Sequence, residues 1–476
     1  MKQKESRMKA KIGLALCVAS LSAVAAEKIE IVDSPVLPRE SQEEKVSRMA
    51  WWTEARFGMF IHFGLYAMPA RHEWVRRIES IPAETYDAKY LPRFNPDLFD
   101  ARAWVRAAKE SGMKYIVLTT KHHEGFCLWD TKQTDYKITK TPFGRDLVRE
   151  YVEACRAEGL RVGLYFSLLD WHHPDYPIDR NHPSQPAGCD KMTDEACAEA
   201  LAKLNAGKDP ARFRTFMFNQ VTELLTDYGK IDIVFYDFTY EHPNYNGKAL
   251  WDSENLLALT RRLQPGIIVN DRLGLMNVRN GWDIKTPEQV NSPKWVEYNG
   301  ERVPWETCQT FSGSWGYYRD EATWKDPRQL LSILIDSCSK GGNVILNVGP
   351  TARGTFDRRA KARLAAMGEW MSVNGRSIYG CTQAPDGFVA PKGTTLTYNP
   401  KTNCLYVHLL EYPVKVLPIA FADKVSYAQF LHDGSEVEVR QPLGVDGKPR
   451  KDVGASVILP VVKPDVEIPV VEMFLK

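Results

Sequence analysis

Residues 114–126 read KYIVLTTKHHEGF, an apolar run that ends abruptly in Lys121, His122, His123 and Glu124. The chain has only ten histidines, yet six of them (62, 72, 122, 123, 172 and 173) follow its first three strand-like runs. Other reactive side chains sit at the same kind of position. His62 ends the run FGMFIHFG, with His72, Glu73 and Trp74 in the loop beyond, and Tyr165, Asp170 and Trp171 close RVGLYFSLLDW. Asp237 ends IDIVFYDF, Asn270, Asp271 and Arg272 follow GIIV, Glu288 ends WDIKTPE, and Glu306 lies in WETCQTF with Trp315 beyond it. Carboxylates, neutral imidazoles and indole faces in one pocket suit a polyhydroxylated ligand, because each hydroxyl needs donors and acceptors while the apolar face of a sugar ring stacks on an aromatic ring. Two carboxylates flanking the scissile bond would complete a glycosidase, one attacking or acting as base and the other holding a proton for the leaving group. A metal-dependent hydrolase is the rival chemistry, since His and Asp at strand ends also ligate zinc. Against it, His62 stands in His-Phe-Gly rather than His-x-His, and the adjacent His122 and His123 would point to opposite faces of a continuing strand.

These residues converge only if the runs that carry them lie side by side. Between residue 57 and about 378, eight short apolar runs (57–64, 114–120, 161–171, 231–238, 266–273, 282–288, 305–311 and 343–349) alternate with amphipathic stretches such as ARAWVRAAKESG, DLVREYVEACRAEG and PRQLLSILIDSCSKGG, several closing on glycine. This βαβα rhythm predicts an α/β protein with a parallel sheet, and eight strands predict a (β/α)8-like TIM barrel whose site lies at the carboxyl ends of the strands. After FDRRAKARLAAMGEWMSVNG the pattern changes to short alternating segments such as TTLTYNP, CLYVHLLEY and VSYAQFLHD, which predict an antiparallel β-sandwich domain. The expected division is a leader over 1–26, a barrel over 27–384 and the sandwich over 385–476.

The leader has five basic residues in its first eleven, then the apolar stretch IGLALCVASLSAVA and a small-residue exit at Ala23-Val24-Ala25-Ala26, the pattern of a cleaved signal peptide. Leu16 precedes Cys17 where a lipid-attachment signal needs a small residue, which argues against a lipid anchor. No later run is long and apolar enough to span a bilayer. Loss of residues 1–25 removes five basic side chains and Glu5, taking the formal charge from +2 to −2, so no basic surface for nucleic acid is implied. Eight cysteines remain (127, 155, 189, 197, 308, 338, 381 and 404), without the spacing of a metal finger or a small disulfide framework; Cys189 and Cys197, in a polar loop, could pair. No Asn-x-Ser/Thr acceptor with x other than Pro occurs, which points to a bacterial periplasmic or secreted protein. Oligomeric state is not encoded in any feature of the chain.

The segments RFGMFIHFGLYAMPARHEW, KYIVLTTKHHEGFCLWDT, GLYFSLLDWHH, DIVFYDF, WETCQTFSGSWGY and GGNVILNVGPTARG resemble the α-L-fucosidases of glycoside hydrolase family 29 over roughly residues 45–385. The resemblance implies a (β/α)8-like barrel with a C-terminal β-sandwich, metal-free and cofactor-free catalysis with retention, and a fucosylated oligosaccharide or glycoconjugate as substrate. It makes Asp237 the nucleophile and assigns sugar binding to His62, Glu73, Trp74, His122, His123, Tyr165 and Arg272. In that family both adjacent histidines touch the sugar, so the strand has to bend there. Phe235 stands where the family often has Trp, and Phe63 stands where the family often has Trp after the first histidine. Trp315 joins the pocket from the loop after the seventh run. For the acid/base, Glu288 in WDIKTPEQV fits members that use a glutamate there, with Glu306 in VPWETCQTF as the alternative. Two other readings stay open: a retaining glycosidase for L-galactose- or galactose-configured substrates, and a catalytically inert carbohydrate-binding protein.

Overall fold

The computed structural model describes residues 28–442 and 454–476; the expected signal peptide lies outside the described residues. Helix α1 (Gln42–Ala55) opens with a Ser41/Glu44 capping box, a reciprocal pair that satisfies two otherwise unbonded N–H groups. It leads into β1 (Phe57–Ile61), followed by β2 (Tyr115–Lys121), β3 (Arg161–Ser167), β4 (Ile233–Asp237), β5 (Ile268–Val269), β6 (Glu306–Thr310) and β7 (Asn343–Val348). The seven form one parallel sheet in the order β5-β4-β3-β2-β1-β7-β6. The intervening helices Ala101–Glu110, Leu147–Glu158, Pro210–Thr226 and Pro327–Ser339 start at Asp100, Asp146, Asp209 and Asp326, each of whose side chains accepts a first-turn N–H.

The sixth expected strand, 282–288, does not form a regular strand. It joins β5 and β6 through single parallel bridges, Asn270–Ile284, Lys285–Trp305 and Glu288–Cys308. The reason is local competition for ladder groups. The buried Asp283 carboxylate takes the Val269 N–H at 2.9 Å while pairing with Arg48 and Arg261, and Pro287 has no N–H to give. The segment still closes the sheet, because Asp283 N–H donates to Val269 O and Cys308 N–H donates to Pro287 O at 2.8 and 3.1 Å.

Side chains alternate across each strand, and the inward set fills the barrel with Phe60, Tyr115, Val117, Tyr165, Ile233, Phe235, Ile268, Ile284, Cys308 and Ile345. Gly58 is required at its place, since a Cβ there would meet the Tyr115 ring at 2.2 Å. The same alternation lifts Asp237 above Ile233 and Phe235, and Asn347 above Ile345, onto the carboxyl end of the barrel. A separate core lies between two antiparallel sheets near the C-terminus. The larger runs β8 (Thr382–Gln383), β9 (Thr394–Asn399), β10 (Cys404–Leu409), then the last strand Val470–Leu475, then Val425–Phe430; the smaller pairs Val416–Ile419 and Val439–Arg440 with Ala455–Ile458. Trp370, on the last barrel helix, donates its indole N–H to Ile468 O at 2.8 Å and ties this β module to the barrel.

Candidate active site

The carboxyl ends of the strands surround a cavity of about 480 Å3 lined by His62, Glu73, Trp74, His122, His123, Tyr165, Phe235, Asp237, Arg272, Glu288 and Trp315, together with Phe60, His72, Phe238, Tyr240 and Cys308. The residues that the family resemblance assigns meet there with Trp315, and the alternative Glu306 does not; of the other strand-end candidates, Asp170, Trp171, His172, His173, Asn270 and Asp271 stay outside the lining. Asp237, the last residue of β4, is 7% exposed. Its Oδ2 accepts from the Tyr165 hydroxyl at 2.8 Å, and its Oδ1 accepts from Arg272 Nη1 at 2.7 Å and from Phe238 N–H at 3.1 Å. Burial alone would raise its proton affinity, but the Arg272 charge and these donors outweigh it and hold the carboxyl below its ordinary value.

Arg272 reaches Asp237 because its guanidinium is fixed by Thr286, whose Oγ1 and carbonyl O accept at 3.2 and 3.1 Å. Its Nη2 stands 3.1 Å from Glu288 Oε2. One guanidinium thus touches both acids and keeps their carboxylates within about 8 Å of each other, given the span of its fork. Glu288 lies at the mouth, its side chain 44% exposed. Glu306 is elsewhere. It begins β6, paired in register with Asn343 at the start of β7, and its carboxyl accepts from the Tyr115 hydroxyl. That is the opposite end of the barrel, about 13 Å along the strand from Thr310 at the pocket end. Burial there pushes its proton affinity up, to a pKa of about 7.

Both adjacent histidines face the pocket because β2 stops at Lys121. Gly125 (φ +85°) makes the turn, with Gly125 N–H donating to His122 O at 3.0 Å, so the two-residue alternation no longer applies and the opposite-faces expectation fails. Lys121 points away and pairs with buried Asp170 at 3.0 Å. The hydrogen bonds also set the tautomers. His62 Nδ1–H donates to Asn347 Oδ1 at 2.6 Å. Ser167 spends its proton on Leu169 O, so it accepts from His123 Nδ1–H at 2.7 Å. Each ring is left with a lone pair at Nε2. Burial lowers the His62 pKa to about 3 and the His123 pKa to about 4, and lowers His122 well below its ordinary value. Neutral imidazoles that accept from hydroxyls are the result.

Glu73 Oε2 accepts from Ser314 Oγ and the Trp315 and Gly316 N–H groups at 3.2, 3.2 and 2.8 Å, and so anchors the loop that brings Trp315 over His62, ring centroids 5.2 Å apart. His72, Phe238 and Gln289, the immediate neighbours of Glu73, Asp237 and Glu288, all hold left-handed backbone (φ 93°, 72° and 54°), strain of the kind that gathers at functional sites. Four of the six strand-end histidines line the cavity. The other two do not: His172 pairs with Asp87 and stacks on Tyr136, and His173 packs on Phe216. Asn347, Ser167, Phe60 and Phe238 escaped the sequence reading; Ser167 ends β3 and Asn347 stands one residue before the end of β7, and the strand-end rule applied to uncharged residues would have found both.

The sequence profile of the α-L-fucosidase family matches residues 23–376. Bovine tissue α-L-fucosidase is 30% identical over 87% of this chain and 85% of its own, and the Dictyostelium discoideum α-L-fucosidase is 30% identical over 69% of this chain and 71% of its own. Among solved structures, α-L-fucosidase isoenzyme 1 from Paenibacillus thiaminolyticus superposes with a TM-score of 0.80 at 40% identity, covering 91% of this chain and 99% of that one. A Bacteroides thetaiotaomicron α-L-fucosidase of family GH29, trapped as a covalent intermediate with 2-fluoro-fucosyl fluoride, superposes with a TM-score of 0.75 at 28% identity, covering 94% of this chain and 99% of that one. With a pocket of this make-up at the end of its parallel barrel and relatives of this breadth, the chain belongs to the α-L-fucosidase family of glycoside hydrolases.

Proposed function

We propose that the protein removes terminal α-L-fucosyl residues from glycans by double displacement, with Asp237 as nucleophile and Glu288 as acid/base. The observation that carries this is the Asp237–Arg272–Glu288 chain inside a pocket of neutral histidines. A carboxylate kept ionised at the base of a sugar-sized cavity can attack an anomeric carbon, and a second carboxyl at its mouth stands where an aglycone would leave. In the first step Asp237 forms an ester with the sugar as Glu288 gives its proton to the glycosidic oxygen; in the second, Glu288 takes a proton from water, which frees fucose. Negative charge moves from Asp237 to Glu288 and back, and Arg272, in contact with both, stays paired throughout. The trapped intermediate of the Bacteroides thetaiotaomicron relative supports retention.

Fucose, rather than L-galactose, is favoured by the apolar wall of Phe60, Phe235 and Cys308, which suits a methyl group and offers a further hydroxyl little to bond. An apolar pocket rejects an added hydroxyl by about 10²-fold, so L-galactosides should be cleaved by roughly that factor more slowly. Hydrolysis of 4-nitrophenyl α-L-fucoside by the wild type, Asp237→Ala and Glu288→Ala tests the assignment. Azide should restore the Glu288 variant and yield a fucosyl azide of retained configuration. Unrescued, wild-type-like turnover by that variant would remove Glu288 from the role. Chelator should leave wild-type activity unchanged, whereas a metal hydrolase would lose it. Export to an oxidising compartment is part of the same reading, supported by the Cys189–Cys197 disulfide; among the described residues no helix is long and apolar enough to cross a membrane.

A further inference from the structure

The sugar cavity is not closed behind the two acids. A second cleft, of about 590 Å3, shares Asp237, Phe238, Tyr240, Arg272 and Glu288 with it and runs outward on the β4–β5 side, so Glu288 stands at the junction between them. Its walls come from distant parts of the chain. One is the loop after β4, which carries Tyr240 and Glu241; another is the turn after β5 with Asn277; the far side is Tyr298, on the hairpin Glu297–Arg302, and the N-terminal residue Ile29. Ile29 is held in place by paired backbone bonds to the Asn299 side chain, at 2.8 and 2.9 Å, and Val32 is tied likewise to Asn277 and Arg279, both at 2.9 Å.

Two features of this cleft specify a ligand class. An aromatic track leads out from the nucleophile: Trp74 to Phe238, Phe238 to Tyr240 and Tyr240 to Tyr245, with ring centroids 5.6, 5.6 and 5.4 Å apart. Tyr240 remains 47% exposed, a large apolar surface left open among the described residues. Around it the polar groups are mixed in sign: Lys248, which makes no ion pair among the described residues, and Glu241 beside it, whose Oε1 accepts from Lys248 N–H at 3.2 Å. An exposed aromatic face ringed by donors and acceptors of both charges suits an uncharged sugar ring and no strongly charged group.

We infer that this cleft is the subsite for the leaving-group sugar, with Tyr240 as its stacking platform and Lys248 as a hydroxyl-binding specificity residue. The inference rests on the fucosidase reading and deepens it. It makes the enzyme one that prefers fucose attached to an oligosaccharide over fucose attached to a small leaving group, and it puts Ile29 in the wall that selects the substrate.

The test compares kcat/KM on α-L-fucosyl-lactose with kcat/KM on α-L-fucosyl fluoride, whose leaving group is too small to occupy the cleft. Tyr240→Ala and Lys248→Met should each lower the ratio of the two, Tyr240→Ala by about tenfold, the loss of roughly one good stacking contact. Equal falls on both substrates, or a ratio within twofold of wild type, overturn the inference. So does a fall from Ile78→Ala with none from Tyr240→Ala, because Ile78, 64% exposed, lines the sugar cavity and not this cleft. A second measurement starts from enzyme trapped with 2-fluoro-fucosyl fluoride. Added lactose should speed its reactivation, a sugar hydroxyl attacking the anomeric carbon as Glu288 takes the proton and Asp237 leaves as carboxylate. Lys248→Met, which lies outside the sugar cavity, should lose that acceleration while keeping the reactivation by water. No turnover of fucosyl fluoride by the wild type would instead remove the fucosidase reading itself.

Discussion

Asp237, Tyr165 and Arg272 form the smallest unit on which the chemistry depends. The Asp237 carboxylate is buried, which by itself favours its neutral form, and only the guanidinium and hydroxyl in contact with it reverse that balance. Replacing Arg272 with Met should therefore move the acid limb of the kcat/KM profile for fucosyl fluoride to higher pH, because a buried carboxyl without its counter-charge gives up its proton later. An acid limb that stays in place would show that Arg272 does not control the ionisation of Asp237. Glu306 is the opposite case, a buried carboxyl with a raised pKa of about 7 and no part in the cavity. Its folded-state pKa lies above the unfolded value of about 4.5, so its contribution to stability is fully present below pH 4.5 and is lost as pH rises to about 7. Glu306→Gln should then gain thermal stability relative to wild type between pH 5 and pH 8 while keeping turnover without azide. A variant that is inactive and rescued by azide would return the acid/base role to this position.

At the scale of elements, the site is made by where strands stop. Lys121 is both the last residue of β2 and half of a buried ion pair with Asp170, 0% and 2% exposed, and that anchor sets the place from which His122 and His123 turn into the pocket. Asp170→Asn leaves a buried ammonium without its counter-charge and should cost about 3–5 kcal/mol, read as a fall in the denaturation midpoint. Gly125→Ala asks an L residue to adopt φ +85° with its Cβ 2.4 Å from Asp170 Oδ1. It should cost about 1–3 kcal/mol in strain and raise KM for fucosides as both imidazoles shift; an unchanged KM would argue that they do not bind the sugar. The strand-end rule made most of the pocket legible beforehand, since Asp237, Arg272 and the histidines all follow apolar runs. It misjudged residues 282–288, because hydropathy does not register that Asp283 and Pro287 remove ladder partners. It also misjudged Glu306, because a residue that opens a strand and one that ends it look alike in a run whose boundary is uncertain by a few positions.

Across the whole molecule, the barrel carries the site and Ile29, from the segment before the first helix, walls part of the cleft beside it. Export predicts that protein recovered from its native host begins near Ala25 or Ala26, which N-terminal mass spectrometry would read; a retained leader would contradict it. Six cysteines are free and buried, so the denatured, unreduced mature chain should titrate six thiols and the native one far fewer. The alternation of strands and helices, the glycine that closes Leu147–Glu158 and the change to short β segments after the last barrel helix were all visible in the chain, because capping, periodicity and turn formation are short-range effects that a linear pattern records. The fork of Arg272 across two acids fifty-one residues apart, the tautomers imposed by Asn347 and Ser167, and the outward cleft walled in part by Ile29 were not. Those depend on which residues meet across a closed sheet, and contacts between distant segments are settled by packing and desolvation in three dimensions, for which no local spacing stands as a sign.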